Sequence, residues 1–200
     1  MGCGICRCGS AADARPLDRP HDSRELVEAF STGELSPVEV ARDTLARIRR
    51  VDPRFHAYVA VDENGALRAA RIAEERWREW RSANTGRDLR DWASLPLWGV
   101  TFSVKDTIEQ AGLPTTYGSV AFADNRQPDA SVVQELRKHG AVLTGKTSTS
   151  EFALSTVTAT RLGPATRNPW DTRRTAGGSR GGAAAAAALG LGAVAIGTDS

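Results

Sequence analysis

From Leu97 onward the sequence alternates short apolar runs, glycine-marked turns and helical stretches, and few architectures accept that order. It selects an α/β fold over a helical bundle. Strands are predicted over 100–104, 141–144 and 193–196, and helices over 130–138 and 183–189, with Gly140 as the cap closing the first of these helices. Upstream, residues 25–30 form a short helix ended by Gly33. A second helix opens at Ser36, with Pro37 at its first position and Glu39 placed to complete a capping box. Val40, Thr44, Leu45 and Ile48 are its core face. Residues 55–61 are predicted extended and 63–80 helical, with Ala66, Ala70, Ala73, Trp77 and Trp80 on the buried side and charged i,i+4 pairs on the other. Residues 81–91 are polar and read as a surface loop, and residues 1–22 lack periodicity and read as a disordered tail.

Composition narrows the function classes. Twenty-six basic and 24 acidic residues leave a net charge of +2 and are mostly interspersed, so neither a nucleic acid nor a membrane surface is an expected partner. Cys3, Cys6 and Cys8 are the only cysteines, which rules out a disulfide framework for the body and leaves their own role open. The longest apolar stretch, 183–197, is mostly alanine and glycine and is shorter than the ~20 apolar residues that span a bilayer. With no secretory signal at its start, the expected location is cytoplasmic. His21, His56 and His139 form no ligand pair at helical spacing, so neither a metal nor any other cofactor is expected.

Gly140 to Thr147 fits the phosphate-loop pattern G-x-x-x-x-G-K-[ST] letter for letter. Its context is reversed. A phosphate loop follows a strand and opens a helix, so that backbone N–H groups converge on the anion. Here the first glycine follows a helix, and Ala141-Val142-Leu143 has the content of a strand. Nucleotide binding is therefore not expected.

Two other residues carry chemistry. Ser179 sits among four glycines, Gly177, Gly178, Gly181 and Gly182, which lets a substrate approach the backbone closely. Lys105 ends an apolar strand, where a charge is costly unless it is paired, exposed or functional. The glycine turn taken alone reads more readily as the start of an alanine-rich helix than as a catalytic turn.

Taken together, six segments in order resemble the amidase signature family of serine hydrolases: 99–106 (Gly-Val-Thr-Phe-Ser-Val-Lys-Asp), 112–116 (Gly-Leu-Pro-Thr-Thr), 145–147 (Gly-Lys-Thr), 151–153 (Glu-Phe-Ala), 168–171 (Asn-Pro-Trp-Asp) and 177–182 (Gly-Gly-Ser-Arg-Gly-Gly). The resemblance is close over 97–200 and looser over 23–62. It implies a mixed sheet flanked by helices, with residues 23–200 as the N-terminal part of one amidase domain, incomplete on its C-terminal side. It also implies a Ser-Ser-Lys triad acting on a small-molecule amide. Lys105 matches the lysine that takes the proton, and Ser179 matches the bridging serine, whose preceding peptide bond is cis in the family. Lys146 becomes structural. Gly177, Gly178 and Ser200 match positions near the substrate or the oxyanion.

The family's nucleophile lies on a Gly-Thr-Asp-x-Gly-Gly-Ser loop, of which residues 197–200 supply only Gly-Thr-Asp-Ser, so by register Ser200 is not the attacking serine. The expectation is a chain cut short before its nucleophile, inactive and unstable by itself. A non-catalytic fragment or pseudoenzyme is the alternative, and a glutamine-dependent tRNA amidotransferase A subunit is a narrower one. Arg180 where a second serine is usual, Ser148 where asparagine is common and Trp98 ahead of Gly99 are departures that reshape the pocket without removing a triad member. Oligomeric state is not legible.

Overall fold

A computed structural model describes residues 22–84 and 96–198. The cysteines, His21, most of the expected tail, residues 85–91 of the expected surface loop, and Ser200 fall outside that set. The chain runs α1 (Ser23–Thr32), α2 (Pro37–Phe55), β1 (Tyr58–Val61), α3 (Glu63–Ala83), β2 (Thr101–Lys105), α4 (Ser131–Lys138), β3 (Val142–Thr147), α5 (Gly181–Ala188) and β4 (Val194–Ile196), with single 3-10 turns at Val120–Phe122 and Glu151–Ala153. The strands form one mixed sheet in the order β1-β3-β2-β4. β2 is parallel to β3 and β4, and β1 is antiparallel to β3.

The local signals at helix ends act as expected, with shifts that have identifiable causes. Ser36 and Glu39 form the capping box of α2, and Gly33 closes α1 in the left-handed region at φ 82°. Asp22, expected in the tail, instead caps α1 through a reciprocal box with Glu25. α2 runs on through Phe55, so β1 starts later than expected. The Asp52 carboxylate accepts the N–H groups of Ala57 and Tyr58 and turns the chain there. α3 extends past Trp80 into the expected loop because the Arg81 guanidinium donates to the Phe30 carbonyl at 2.7 Å, tying its last turn to α1.

β2 follows a period of two with both faces covered. Phe102 and Val104 join the main core with Leu26, Val27 and Phe30 of α1, Trp77 of α3 and Val133 of α4. The opposite face carries Thr101, Ser103 and Lys105, all buried. Thr101 Oγ1 accepts the Ala193 N–H at 3.0 Å on that side. Lys105 is thus the last member of a polar stripe and not the end of a uniformly apolar strand. Beside this stripe, Ile48, Tyr58, Ala185, Ala186 and Leu191 form a smaller cluster under α5. No helix among the described residues is long and apolar enough to cross a membrane.

The chain's two tyrosines are Tyr58 and Tyr117. Burial is the largest influence on Tyr58, whose hydroxyl donates to the Leu191 carbonyl, and it pushes the phenol up to about 12. The Tyr117 hydroxyl donates to the Glu109 carboxylate at 2.6 Å, and that bond raises it to about 12 as well. Both folded values lie above the ~10 of an unfolded tyrosine. The stability they contribute is therefore complete below pH ~10 and lost as pH rises towards about 12. Ultraviolet titration of the folded chain should show phenolate appearing near pH 12, against ~10 in denaturant. A native midpoint near ~10 would contradict the burial of Tyr58 and the Tyr117–Glu109 bond.

Candidate active site

Lys105 lies at the C-terminal end of β2 and has no solvent exposure. Its Nζ donates to Ser179 Oγ at 2.6 Å, to Thr198 Oγ1 at 2.9 Å and to the Thr198 carbonyl at 3.2 Å. Thr198 follows the last strand, within the Gly-Thr-Asp-Ser segment that matches the family's nucleophile loop, although that match gives it no role of its own. The signal that would find it is the loop after β4, a strand parallel to β2 and paired with it.

Ser179 reaches Lys105 because the glycine turn is packed without side chains. A Cβ on Gly178 would lie 2.6 Å from the Ser155 carbonyl oxygen, so only glycine allows the turn to press against residues 155–157. The Gly178–Ser179 peptide bond is cis. The Ser179 carbonyl accepts the Ser150 N–H at 3.3 Å, and Ser179 itself is buried. α5 begins two residues earlier than the sequence suggests. The Gly181 N–H donates to Thr158 Oγ1, and the Gly182 N–H donates to the Ser148 carbonyl, which anchors the helix start against the turn after β3.

The other expected site residues are placed unevenly. Gly177 adopts φ 84°, and its N–H already donates to Thr175 Oγ1 at 3.1 Å. The Gly178 N–H donates to no described group. Arg180 stands at the N-cap of α5, and its aliphatic stem packs over Gly197, where a Cβ would meet Arg180 Cβ and Cδ at 3.1 Å.

Lys146 is not in a loop. The segment that matches the phosphate-loop pattern continues as β3 through Gly145, Lys146 and Thr147, three residues beyond the expected strand end. Gly145 permits this, because a Cβ there would fall 2.2 Å from the Ala60 carbonyl oxygen of β1. The Lys146 ammonium is fully buried, pairs with the Asp106 carboxylate at 3.0 Å and donates to Thr115 Oγ1 at 2.7 Å. Burial pushes Lys146 below its ordinary value, and the Asp106 carboxylate restores only part of the shift. Asp106 also accepts from the Thr116 backbone N–H and the Thr116 hydroxyl. Among the described residues no three His, Cys, Asp or Glu side chains group as a metal site. His139 is exposed, 3.8 Å from Glu135.

A buried amine held 2.6 Å from a serine hydroxyl, on a turn that only glycines can form, is an arrangement suited to moving a proton. Comparison with known proteins identifies the family. The profile of the Amidase family matches residues 39–200. Among curated proteins, the A subunit of glutamyl-tRNA(Gln) amidotransferase from Carboxydothermus hydrogenoformans is 40% identical over 179 residues, covering 89% of this chain and 35% of the relative. Its namesake from Salinispora tropica is 44% identical over 178 residues, covering 88% and 34%. Among solved structures, the peptide amidase from Stenotrophomonas maltophilia superposes with a TM-score of 0.76 at 32% identity, covering 91% of this chain and 36% of that one. A 6-aminohexanoate cyclic dimer hydrolase does so with 0.73 at 30% identity, covering 88% and 33%. The chain thus spans about a third of the length of the proteins it matches. The fold is that of the amidase signature enzymes, and the chain belongs to the Amidase family.

Proposed function

We propose that the chain contributes Lys105 and Ser179 to a Ser-Ser-Lys site that hydrolyses a C–N amide bond of a small molecule, with the attacking serine supplied by sequence after position 200. The observation that carries this reading is the 2.6 Å contact between Nζ of the fully buried Lys105 and Ser179 Oγ. A serine hydroxyl is a weak nucleophile and needs a base beside it, and a lysine is one only when its surroundings favour the neutral amine. Burial disfavours the ammonium form.

The attacking serine adds to the amide carbonyl while its proton passes to Ser179, whose own proton passes to Lys105. The Lys105 ammonium then returns a proton through Ser179 to the departing amine, the C–N bond breaks, and water releases the carboxylate from the acyl-serine. The Gly178 N–H, which donates to no described group, is assigned to the oxyanion. No step calls for a cofactor, and a cytoplasmic location suits the enzyme.

A second reading, the A subunit of a glutamyl-tRNA(Gln) amidotransferase, is favoured by the 40–44% identity to curated proteins of that name, against 30–32% for the amidase and hydrolase structures. There the departing amine is ammonia passed to an acceptor.

The test is ammonia release from a panel of amides, glutamine included. Residues 1–200 alone are expected to show none. The same residues continued through a Gly-Gly-Ser at 201–203 and the remainder of an amidase domain are expected to turn over. Hydrolysis by the 200 residues alone would sink the assignment of the nucleophile. Activity of the longer form on glutamine alone, stimulated by a charged tRNA and partner proteins, would select the second reading.

A further inference from the structure

The buried pair Lys146–Asp106 is not used by the chemistry above, yet it adjoins Lys105. In the β2–β3 register Val104 stands opposite Lys146, and Lys105 opposite Thr147. Paired residues of neighbouring strands share a face, and successive residues alternate faces. Lys146 therefore lies on the Val104 side of the sheet, away from Ser179, and reaches Asp106 from there at 3.0 Å. Asp106 is held at every polar group. Its N–H donates to the Thr147 carbonyl, its carbonyl accepts the Tyr117 N–H, and its carboxylate takes Lys146 together with the Thr116 N–H and hydroxyl. The Lys105 carbonyl is fixed as well, by the Ile108 N–H at 2.9 Å.

A buried ion pair is a poor stabilising device, because two desolvated charges recover about what their removal from water costs, and apolar replacements of similar size are often tolerated. The downward shift of Lys146 despite its carboxylate partner points the same way. What the pair does supply is geometry. The side chain of residue 106 is locked on one face of the sheet at the point where the strand ends, and that fixes the direction of residue 105 on the other.

We propose that Lys146 is a positioning residue for Lys105: its ion pair with Asp106 holds the strand end that aims the Lys105 amine at Ser179. This rests on the reading of Lys105 as the base. The geometry asks for a local consequence, a change in Lys105 itself, which a purely structural pair would not produce.

The chain has only three lysines, Lys105, Lys138 and Lys146, so carbon-13 labelling at lysine Cε gives three resolvable titrations, with Lys105 identified by its loss in Lys105→Arg. Replacing the pair together, Lys146→Met with Asp106→Leu, leaves no unpaired charge behind. The expected result is a cooperatively melting chain in which the Lys105 titration moves towards that of a free lysine, as its geometry at Ser179 loosens and water enters. A folded double variant with an unmoved Lys105 midpoint overturns the proposal. Should the double variant fail to fold, Thr116→Val removes one donor to Asp106, and a smaller movement is expected. No movement there overturns the proposal equally. The parent chain separates the two readings. A native Lys105 midpoint already at the ordinary ~10.4 refutes the base role and the positioning role with it, whereas a depressed midpoint indifferent to the pair refutes positioning alone.

Discussion

Gly182→Ala is expected to lower the melting temperature by roughly 5–15 °C, and to separate Ser179 from Lys105 while doing so. A Cβ at Gly182 would lie 2.3 Å from the Ser148 nitrogen, 2.5 Å from the Ser148 oxygen and 2.6 Å from the Ala57 oxygen. All three are backbone atoms of the turn after β3 and the approach to β1, so no flexible side chain can swing aside. Either α5 moves off the sheet or that turn does, and the Gly182 N–H bond to the Ser148 carbonyl breaks in both cases. Overpacking of this kind typically costs about 1–3 kcal/mol, and the lost buried hydrogen bond adds about 1 kcal/mol. Gly163→Ala is the control. Nothing lies within 4 Å of a Cβ there, so its melting temperature should be unchanged or slightly raised. Equal losses in the two variants would show that α5 does not dock as described.

In an amidase domain completed beyond residue 200, Lys105→Ala is expected to reduce kcat on the order of 10³-fold or more, with little change in KM. Lys105 is buried and bonded to Ser179, so under the proposed mechanism its loss removes proton transfer and not substrate contact. Lys105→Arg discriminates the chemical role from a structural one. Arginine keeps the charge and the hydrogen-bond donors but does not lose its proton at working pH, so it cannot serve as the base. Arginine should therefore be about as inactive as alanine in steady-state ammonia release. Recovery of turnover by arginine would mean that the position needs only a cation.

The parts of the fold legible in the sequence are those whose cause is local. The capping box at Ser36 and Glu39, the left-handed glycine after α1 and the alanine stripe of α3 each depend on residues within a few positions of one another. What escapes the sequence depends on distant partners. The pattern ends β3 at Thr144 because Gly145-Lys146 reads as a turn, and nothing nearby reveals that Asp106, forty positions earlier, neutralises that lysine. Thr198 lies in a recognisable segment, but its bond to Lys105 is not legible, since that comes from the pairing of β4 with β2. Composition holds one further clue. Of 26 basic residues only three are lysines, and two of those three are buried. Where arginine serves almost everywhere else, the few lysines mark places that need a compact ammonium group or one able to lose its proton. Lys105 and Ser179 are picked out by the six-segment resemblance, since a glycine-flanked serine or a strand-end lysine alone is compatible with a purely structural role. Their 2.6 Å contact is not legible, because 74 positions separate them.

The indole of Trp77 offers a last consequence. It is fully buried and meets Trp80 and Trp98 edge to face, each at 5.4 Å between ring centres. Its Nε1 donates to the Trp98 carbonyl. Aromatic transition dipoles at such separations couple, so this trio should give the folded chain a circular-dichroism signature that neither α3 nor the approach to β2 produces alone. Trp170, 81% exposed, stands apart from it and is open to collisional quenchers. Among the described residues, the chain thus carries one optical reporter for the docking of α3 and another for a surface loop.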